Sequence, residues 1–208
     1  MAFAGWPPEA AEFFEGLRAD NTKAYWNAHK AAYEASVRAP MAALLSDLSG
    51  EFGPARIARP YRDMRFSAGK APYKTEIYAI FDRGGYVNFS APGLTAATGY
   101  FLMSPAQLDR YRQAVDREHS GAELAALVER LKDQGLATGG RQALKTLPRG
   151  YPKDHPRLDL LRCKGLICWQ HWPAGPWLQT AEARDRVAGF LRIAAPLQRW
   201  LARNVGPA

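Results

Sequence analysis

The sequence predicts an α+β protein in which a central, mostly antiparallel sheet packs against helices. Two observations lead to this class. Apolar residues recur at helical spacing near both ends of the chain, and short β-type runs punctuated by glycine and proline lie between them. Helices that flank a group of hairpin-linked strands are typical of an antiparallel sheet covered by helices. The chain has 208 residues, of which 47% are hydrophobic, so we expect a single domain over residues 1–208.

The N-terminal part of the chain is predicted to be helical. Pro7-Pro8 can open a first helix, which carries Phe13 and Leu17 on one face. The polar run 20–22 ends this helix and can cap a second one. Pro40 lacks a backbone N–H and its ring clashes with the preceding turn, so we expect a kink or a break there.

The middle of the chain and one later segment have the composition of strands. Asp82-Arg83-Gly84-Gly85 between two of these runs is predicted to be a hairpin turn. We predict strands over residues 61–66, 77–81, 86–90, 99–103 and 165–172.

Helix signals return after the first four predicted strands. Residues 104–107 combine an N-cap serine, a proline at the first helical position and a glutamine that completes a capping box. A second helix is predicted to start at residues 120–123 and to end at Gly135. Thr180 can cap a closing helix, which Pro196 is expected to bend.

Hydropathy and cysteine content limit the class of protein. No window approaches the roughly eighteen uncharged apolar residues that a membrane span requires, and the N-terminus lacks the basic and apolar stretches of a signal peptide. The two cysteines, Cys163 and Cys168, do not make a disulfide framework and are predicted to be free, buried thiols. We therefore expect a cytoplasmic protein with no membrane contact.

The sequence has no pattern that indicates a metal or a nucleotide cofactor. Its four histidines show no His-x-x-x-His pair, and the cysteines lack the spacing of a zinc site. A dinucleotide fingerprint, a phosphate-binding loop and a Gly-x-Ser-x-Gly elbow do not occur. We expect no metal and no cofactor, and the residues do not decide whether the protein is an enzyme.

Positive charge is concentrated in two stretches, which we call the first basic segment (residues 56–74) and the second basic segment (residues 141–164). Each has a net charge of +5, whereas the whole chain has +8, so the remainder is slightly acidic. Clustered cations repel one another unless counter-charges or a bound anion compensate them. The candidate anion-binding residues are Arg59, Arg62, Arg65, Lys70, Lys74, Arg149, Arg162 and Lys164.

The alternation of a strand predicts the environment of Arg62. If residues 61–66 are extended, Arg62 and Phe66 point to one face while Asp63 and Arg65 point to the other. A half-buried arginine needs a partner, and Asp63 lies on the wrong face to supply it. We expect the partner to be a distant acidic residue, a backbone carbonyl or a bound anion.

Three hypotheses explain the basic segments. In the first, they line a cleft for a phosphorylated or carboxylated small molecule. In the second, the protein is a nucleic-acid-binding module that holds phosphates with its cations and stacks bases on its tyrosines. In the third, the arginines are purely structural and are neutralised by internal acids such as Glu12, Glu15, Asp47 or Glu76.

Asp63, Tyr73 and His155 are the candidate catalytic residues. Arginines beside a histidine favour its neutral form, which can act as a base. The alternative for His155 is a structural one, because Asp154-His155-Pro156 resembles a helix entrance with Asp154 as the N-cap.

The first basic segment closely resembles the signature of the bacterial domain-of-unknown-function family 2461. That signature is Arg, two residues, Arg-Asp, one residue, Arg-Phe, three residues, Lys, one residue, Pro-Tyr. Its fixed positions are matched by Arg59, Arg62, Asp63, Arg65, Phe66, Lys70, Pro72 and Tyr73.

Two further stretches, over residues 20–33 and 148–164, are also similar to motifs of this family. The resemblance brings no activity with it. It implies that both basic segments belong to one recurrent architecture, and we expect them to converge around a single cleft.

Overall fold

The computed structural model describes residues 2–62, 71–140 and 142–207. The chain forms two compact units, Met1–Ala96 with His171–Gly189 (unit 1) and Ala97–Gln170 with Phe190–Ala208 (unit 2). The fold class is α+β, as the sequence predicts. The single domain over residues 1–208 stays a prediction.

The N-terminal helices begin and end where local signals place them. Helix α1 spans Pro8–Ala19 and starts with the predicted proline. Helix α2 spans Lys23–Ala32, and the side chain of Thr22 caps it by accepting a hydrogen bond from the N–H of Tyr25. Both predictions are confirmed.

Pro40 does not break the chain's helix, so the break that the sequence analysis allowed there is wrong, whereas the alternative of a kink stays a prediction. Residues Tyr33–Arg38 form a π-helical turn, and helix α3 follows directly over Ala39–Phe52. The wider turn lets the N–H of Ala39 bond to the carbonyl of Glu34. The indole N–H of Trp6 donates to the carbonyl of Val37 at 3.3 Å, which satisfies a helix carbonyl near the proline.

Within the described residues, six strands form one sheet in the order β1-β2-β3-β4-β6-β5. Strand β2 pairs antiparallel with both β1 and β3, and β5 pairs antiparallel with β6. The strands are β1 (Ala55–Ile57), β2 (Glu76–Phe81), β3 (Gly85–Ser90), β4 (Gly93–Tyr100), β5 (Ala137–Gly139) and β6 (Leu166–Pro173).

Strand β4 corrects one prediction. It starts at Gly93 and ends at Tyr100, whereas the sequence predicts a strand over residues 99–103. Residues 94–98 are Leu-Thr-Ala-Ala-Thr; the two alanines have a low strand propensity, which pairing in the sheet overrides. The three-residue strands β1 and β5 are too short to leave a periodic signal. Most of the predicted strand over residues 61–66 lies outside the described residues.

The later helices agree with the prediction in position but not in every boundary. Helix α4 spans Pro105–Asp116 with the predicted capping box at Ser104, and α7 spans Glu182–Val205 with Pro196 inside it. Helix α5, over Glu118–Asp133, starts two residues before the predicted cap. The short helix α6 spans Leu158–Arg162, so Asp154 does not cap it.

The core of unit 1 lies between its helices and one face of the sheet. Trp6 stacks on Phe89 of β3 with ring centroids 4.6 Å apart, and Phe14 of α1 lies 6.0 Å from the same ring. Phe52 of α3 meets Phe81 of β2 edge-on. Because side chains alternate along a strand, this packing leaves Glu76 and its alternate neighbours for the opposite face.

The core of unit 2 is built around two aromatic residues. Tyr111 of α4 and Trp200 of α7 meet edge-on at 6.3 Å, and both are buried. The hydroxyl of Tyr111 donates to the carbonyl of Leu160, and the indole of Trp200 donates to the carbonyl of Ser120. The tyrosine bond therefore joins α4 to α6, and the tryptophan bond joins α7 to the start of α5.

Gly93 offers a test of the observed start of β4. Its φ is 146°, and a Cβ there would overlap the backbone carbonyl oxygen of Trp172. We expect Gly93→Ala to lower the melting temperature by roughly 4–8 °C, since strain and overpacking cost about 2 kcal/mol. The matched control is Gly189→Ala inside α7, where a Cβ meets nothing within 4 Å and should not destabilise. Equal melting temperatures for wild type and Gly93→Ala would contradict this placement of β4.

Candidate functional site

The ends of the first basic segment are held together by backbone pairing in unit 1. The N–H of Arg62 donates to the carbonyl of Pro72 at 2.8 Å, and the N–H of Lys74 donates to the carbonyl of Pro60 at 2.7 Å. Tyr61 and Tyr73 form the antiparallel bridge between these two bonds. The predicted site residues Asp63, Arg65 and Lys70 lie outside the described residues.

Arg62 uses its guanidinium to reinforce this pairing. Its Nη1 donates to the carbonyl oxygens of Ala71 at 2.9 Å and Tyr73 at 2.8 Å. Of the three predicted kinds of partner, the structure shows carbonyls. In the described part of the chain no carboxylate pairs with Arg62, so these bonds orient the guanidinium without neutralising it.

Tyr73 is fixed from two sides. The amide of Asn21 donates from Nδ2 to the carbonyl of Tyr73 at 3.1 Å and accepts from its N–H at 2.9 Å. The phenol ring stacks on the buried Trp26 at 4.6 Å with an interplanar angle of 6°. The polar run 20–22 was predicted to end α1, to cap α2 and to belong to a family motif, but the bonds from Asn21 to Tyr73 were not predicted, because a contact over this sequence separation leaves no local pattern.

Lys74 is half-buried and has neutral partners. Its Nζ donates to the carbonyl of Arg59 at 2.8 Å and to the hydroxyl of Tyr78 at 3.3 Å, and it lies 4.6 Å from the centre of the Tyr78 ring. The guanidinium of Arg59 lies over the ring of Tyr61 at 5.3 Å. Among the described residues, neither Lys74 nor Arg59 pairs with an acid.

A row of polar side chains continues from Tyr78 across the sheet. Tyr78 of β2 lies directly opposite Asn88 of β3. The amide of Asn88 donates to Oε2 of Glu76 at 2.7 Å and to the hydroxyl of Tyr86 at 2.8 Å. Asn88 is only 8% exposed. Glu76 was predicted only as a possible acidic partner of the arginines, and no role was predicted for Asn88.

The second basic segment, in unit 2, has a different electrostatic environment. Arg157 is nearly buried and donates to the carbonyls of Val115 and Asp116, and it forms an ion pair with Glu118 at 3.3 Å. Arg162 lies 3.6 Å from the carboxylate of Asp159. Two of its arginines therefore have acidic partners, as the structural hypothesis requires.

Other cations of the second basic segment are more open. Lys145, Arg149 and Lys153 are exposed, and Lys164 is half-buried. The Nε of Arg162 is buried and finds no acceptor within the described residues. Arg141 lies outside those residues.

His155 is buried, and both of its ring nitrogens are engaged. The backbone N–H of Arg157 donates to Nδ1 at 3.0 Å, and Nε2 lies 3.3 Å from Oδ1 of Asp116. Since Nδ1 accepts a hydrogen bond, the proton of the neutral ring belongs on Nε2, where it can reach the carboxylate. This arrangement fits a residue that holds a turn, because neither nitrogen is left to take a proton from a substrate.

The two cysteines are buried and free, as predicted. Burial raises the pKa of the Cys168 thiol to about 12, and burial also raises the pKa of Cys163. Thiols with raised pKa values carry little thiolate at neutral pH and are poor nucleophiles.

Within the described ranges, no group of three or more histidine, cysteine, aspartate or glutamate side chains is arranged to hold a metal ion. In the same ranges, no helix has the length and apolar character needed to cross a bilayer.

The fold class and the motif of the first basic segment can now be set beside known protein families. Residues 9–200 match the family described as Conserved hypothetical protein (DUF2461), and the chain belongs to that family. The resemblance found in the sequence is thereby confirmed. No curated protein matches the chain.

The structural role of His155 is testable. We expect His155→Ala to lower the free energy of unfolding by about 1–3 kcal/mol, because the N–H of Arg157 loses its acceptor. The exposed His119 provides the matched control, His119→Ala, which should be close to neutral. Nitrogen NMR of the imidazole should show the Nε2–H tautomer, and an Nδ1–H tautomer would contradict the geometry.

Burial of Cys168 predicts a loss of stability in alkali. The unfolded thiol ionises near pH 9, whereas the folded thiol stays protonated up to about pH 12, so stability falls as pH rises through this window. Between pH 9 and pH 10 this contribution is about 1 kcal/mol. Cys168→Ala should flatten the decline in urea unfolding measured at both pH values. A decline of unchanged slope in the variant would contradict the prediction.

Proposed function

We propose that the protein binds a small molecule carrying a phosphate or carboxylate group, through the cations of the first basic segment. The observation that carries the proposal is the environment of Lys74, a half-buried ammonium whose partners are a carbonyl, a hydroxyl and an aromatic ring. These partners aim the ammonium but leave its charge uncompensated. An anion that reaches it gains a charge-assisted hydrogen bond in a partly desolvated setting.

The contrast between the two basic segments supports this choice. In the second segment, Arg157 and Arg162 face Glu118 and Asp159. In the described part of the first segment, Arg62 and Lys74 bond to carbonyl oxygens instead. The structural hypothesis therefore fits the second segment better than the first.

Bonds to carbonyls also pre-organise the cations. Arg62 and Lys74 each hold defined positions through bonds that do not depend on a ligand. A binding site whose side chains are already ordered loses less conformational entropy when its ligand arrives. Arg65 and Lys70 belong to the same proposal on the strength of the sequence motif.

The proposal concerns binding and includes no reaction. Tyr73 serves to anchor the segment by stacking on Trp26, and the ring nitrogens of His155 are engaged within the protein. Catalysis by Asp63, Tyr73 or His155, and a cleft shared with Arg149, Arg162 and Lys164, stay predictions from the sequence.

Removing the ammonium of Lys74 tests the proposal. Phosphate should raise the melting temperature of the wild-type protein in thermal unfolding against sodium chloride of equal ionic strength, because a ligand of the native state stabilises it by mass action. At about 100 times its dissociation constant the gain is about 2.7 kcal/mol, or roughly 5–10 °C for a chain of this size. Lys74→Met should lose most of this gain.

The exposed Lys153 supplies the matched control. Phosphate also stabilises proteins without binding them, and Lys153→Met measures this general effect at the same net charge. Equal gains for wild type, Lys74→Met and Lys153→Met would overturn the proposal. Tight binding of a single-stranded oligonucleotide, weakening steeply as salt rises, would favour the nucleic-acid hypothesis instead.

A further inference from the structure

Two opposite charges, Lys74 just before β2 and Glu76 at the start of β2, lie near Tyr78 and do not pair with each other. The ammonium of Lys74 lies over the ring of Tyr78 and donates to the hydroxyl of the same tyrosine. Glu76, two residues away in sequence, bonds to the amide of Asn88, which lies opposite Tyr78 on the next strand. Both charged residues are half-buried.

The two charges are directed to different sides of Tyr78. Lys74 bonds to the carbonyl of Arg59, which follows the edge strand β1 on one side of β2. Glu76 bonds to Asn88 in β3 on the other side of β2. Tyr78 therefore separates a positive end from a negative end of one polar surface.

Each charge lacks a counter-charge in the described part of the chain. No cation there forms an ion pair with Glu76, and no carboxylate there forms one with Lys74. A partly desolvated charge without a counter-charge is costly, and half-buried ionised groups are normally paired. A ligand with one group of each sign would complete both pairs at once.

The negative end offers acceptors to such a ligand. Both amide hydrogens of Asn88 are used, one by Glu76 and one by Tyr86. Glu76 and Asn88 can therefore offer a ligand only carboxylate and amide oxygens, which accept hydrogen bonds but do not donate them. A group that donates several hydrogen bonds and carries positive charge, such as a primary ammonium, matches them best.

We propose that the ligand of this surface is zwitterionic. Its anionic group binds at Lys74, its ammonium binds at Glu76 and Asn88, and the aliphatic chain between them lies across the ring of Tyr78. This inference rests on the proposed function and deepens it, since it adds a second recognition group to the anion. The chemical class is that of amino acids whose amino group is distant from the carboxylate.

A series of ω-amino acids tests the inference. Glycine, β-alanine, 4-aminobutyrate and 6-aminohexanoate vary the distance between the two charges, and butyrate, hexanoate and 4-hydroxybutyrate lack the ammonium. Calorimetric titration of the wild-type protein should show an optimal chain length. At that length the amino acid should bind about tenfold or more tightly than the carboxylate without the amino group, since a charge-assisted hydrogen bond supplies that difference.

Glu76→Gln should remove the preference for the amino group, and butyrate and phosphate should bind at least as tightly as they bind to the wild-type protein, because a negative charge near Lys74 is lost. The matched control is Glu15→Gln on the exposed surface of α1, which should keep the preference. If Glu76→Gln does not fold, the ligand series on the wild-type protein still decides the question.

The outcomes separate the two proposals. Binding of phosphate and butyrate without any gain from the amino group would overturn the zwitterion and leave the proposed function standing. Equal affinity for the amino acid of optimal length and for the hydroxy acid of the same length would overturn the assignment of an ammonium. Failure of every anion to bind more tightly to wild type than to Lys74→Met would overturn both.

Discussion

The bonds from Arg62 to the carbonyls of Ala71 and Tyr73 determine the form of the cationic surface. They reinforce the backbone pairing of residues 60–62 with residues 72–74, which brings the carbonyl of Arg59 beside the ammonium of Lys74. A guanidinium is suited to this use, because its planar array of donors can hold two carbonyls while remaining charged.

Keeping the charges of Lys74 and Glu76 half-buried and unpaired with each other lowers the stability of the folded protein. A lysine and a glutamate two residues apart leave each other unpaired, and each makes hydrogen bonds to neutral groups instead. Pairs of that kind are usually closed by protein side chains when they serve only stability. The proposed zwitterionic ligand would supply a partner to each of these charges.

The features that the sequence predicts well have local causes. The Thr22 cap, the capping box at Ser104 and the hairpin before Tyr86 each depend on a few neighbouring residues. Strand β4 was misplaced because its alanines acquire strand conformation from their neighbours in the sheet. The helix entrance expected at Asp154 was wrong because the ring of His155 fixes the preceding turn, and α6 starts only at Leu158.

In the candidate site, too, contacts between residues that are distant in sequence could not be predicted. A backbone carbonyl is one of the three kinds of partner that the sequence predicts for Arg62, and it is the kind observed. The contacts of Asn21 with Tyr73 and of Asn88 with Glu76 were not predicted, because they join residues that are distant in sequence. Charge counting treats the two basic segments as equivalent. Their difference, acids around Arg157 and carbonyls around Lys74, depends on tertiary structure alone.

A crystal structure determined in the presence of selenate would test the central claim most directly, because selenium can be located by its anomalous scattering. The claim predicts a selenate ion within hydrogen-bonding distance of Nζ of Lys74. An ammonium of Lys74 that is instead paired with a carboxylate of the protein itself, with no selenate beside it, would contradict the claim.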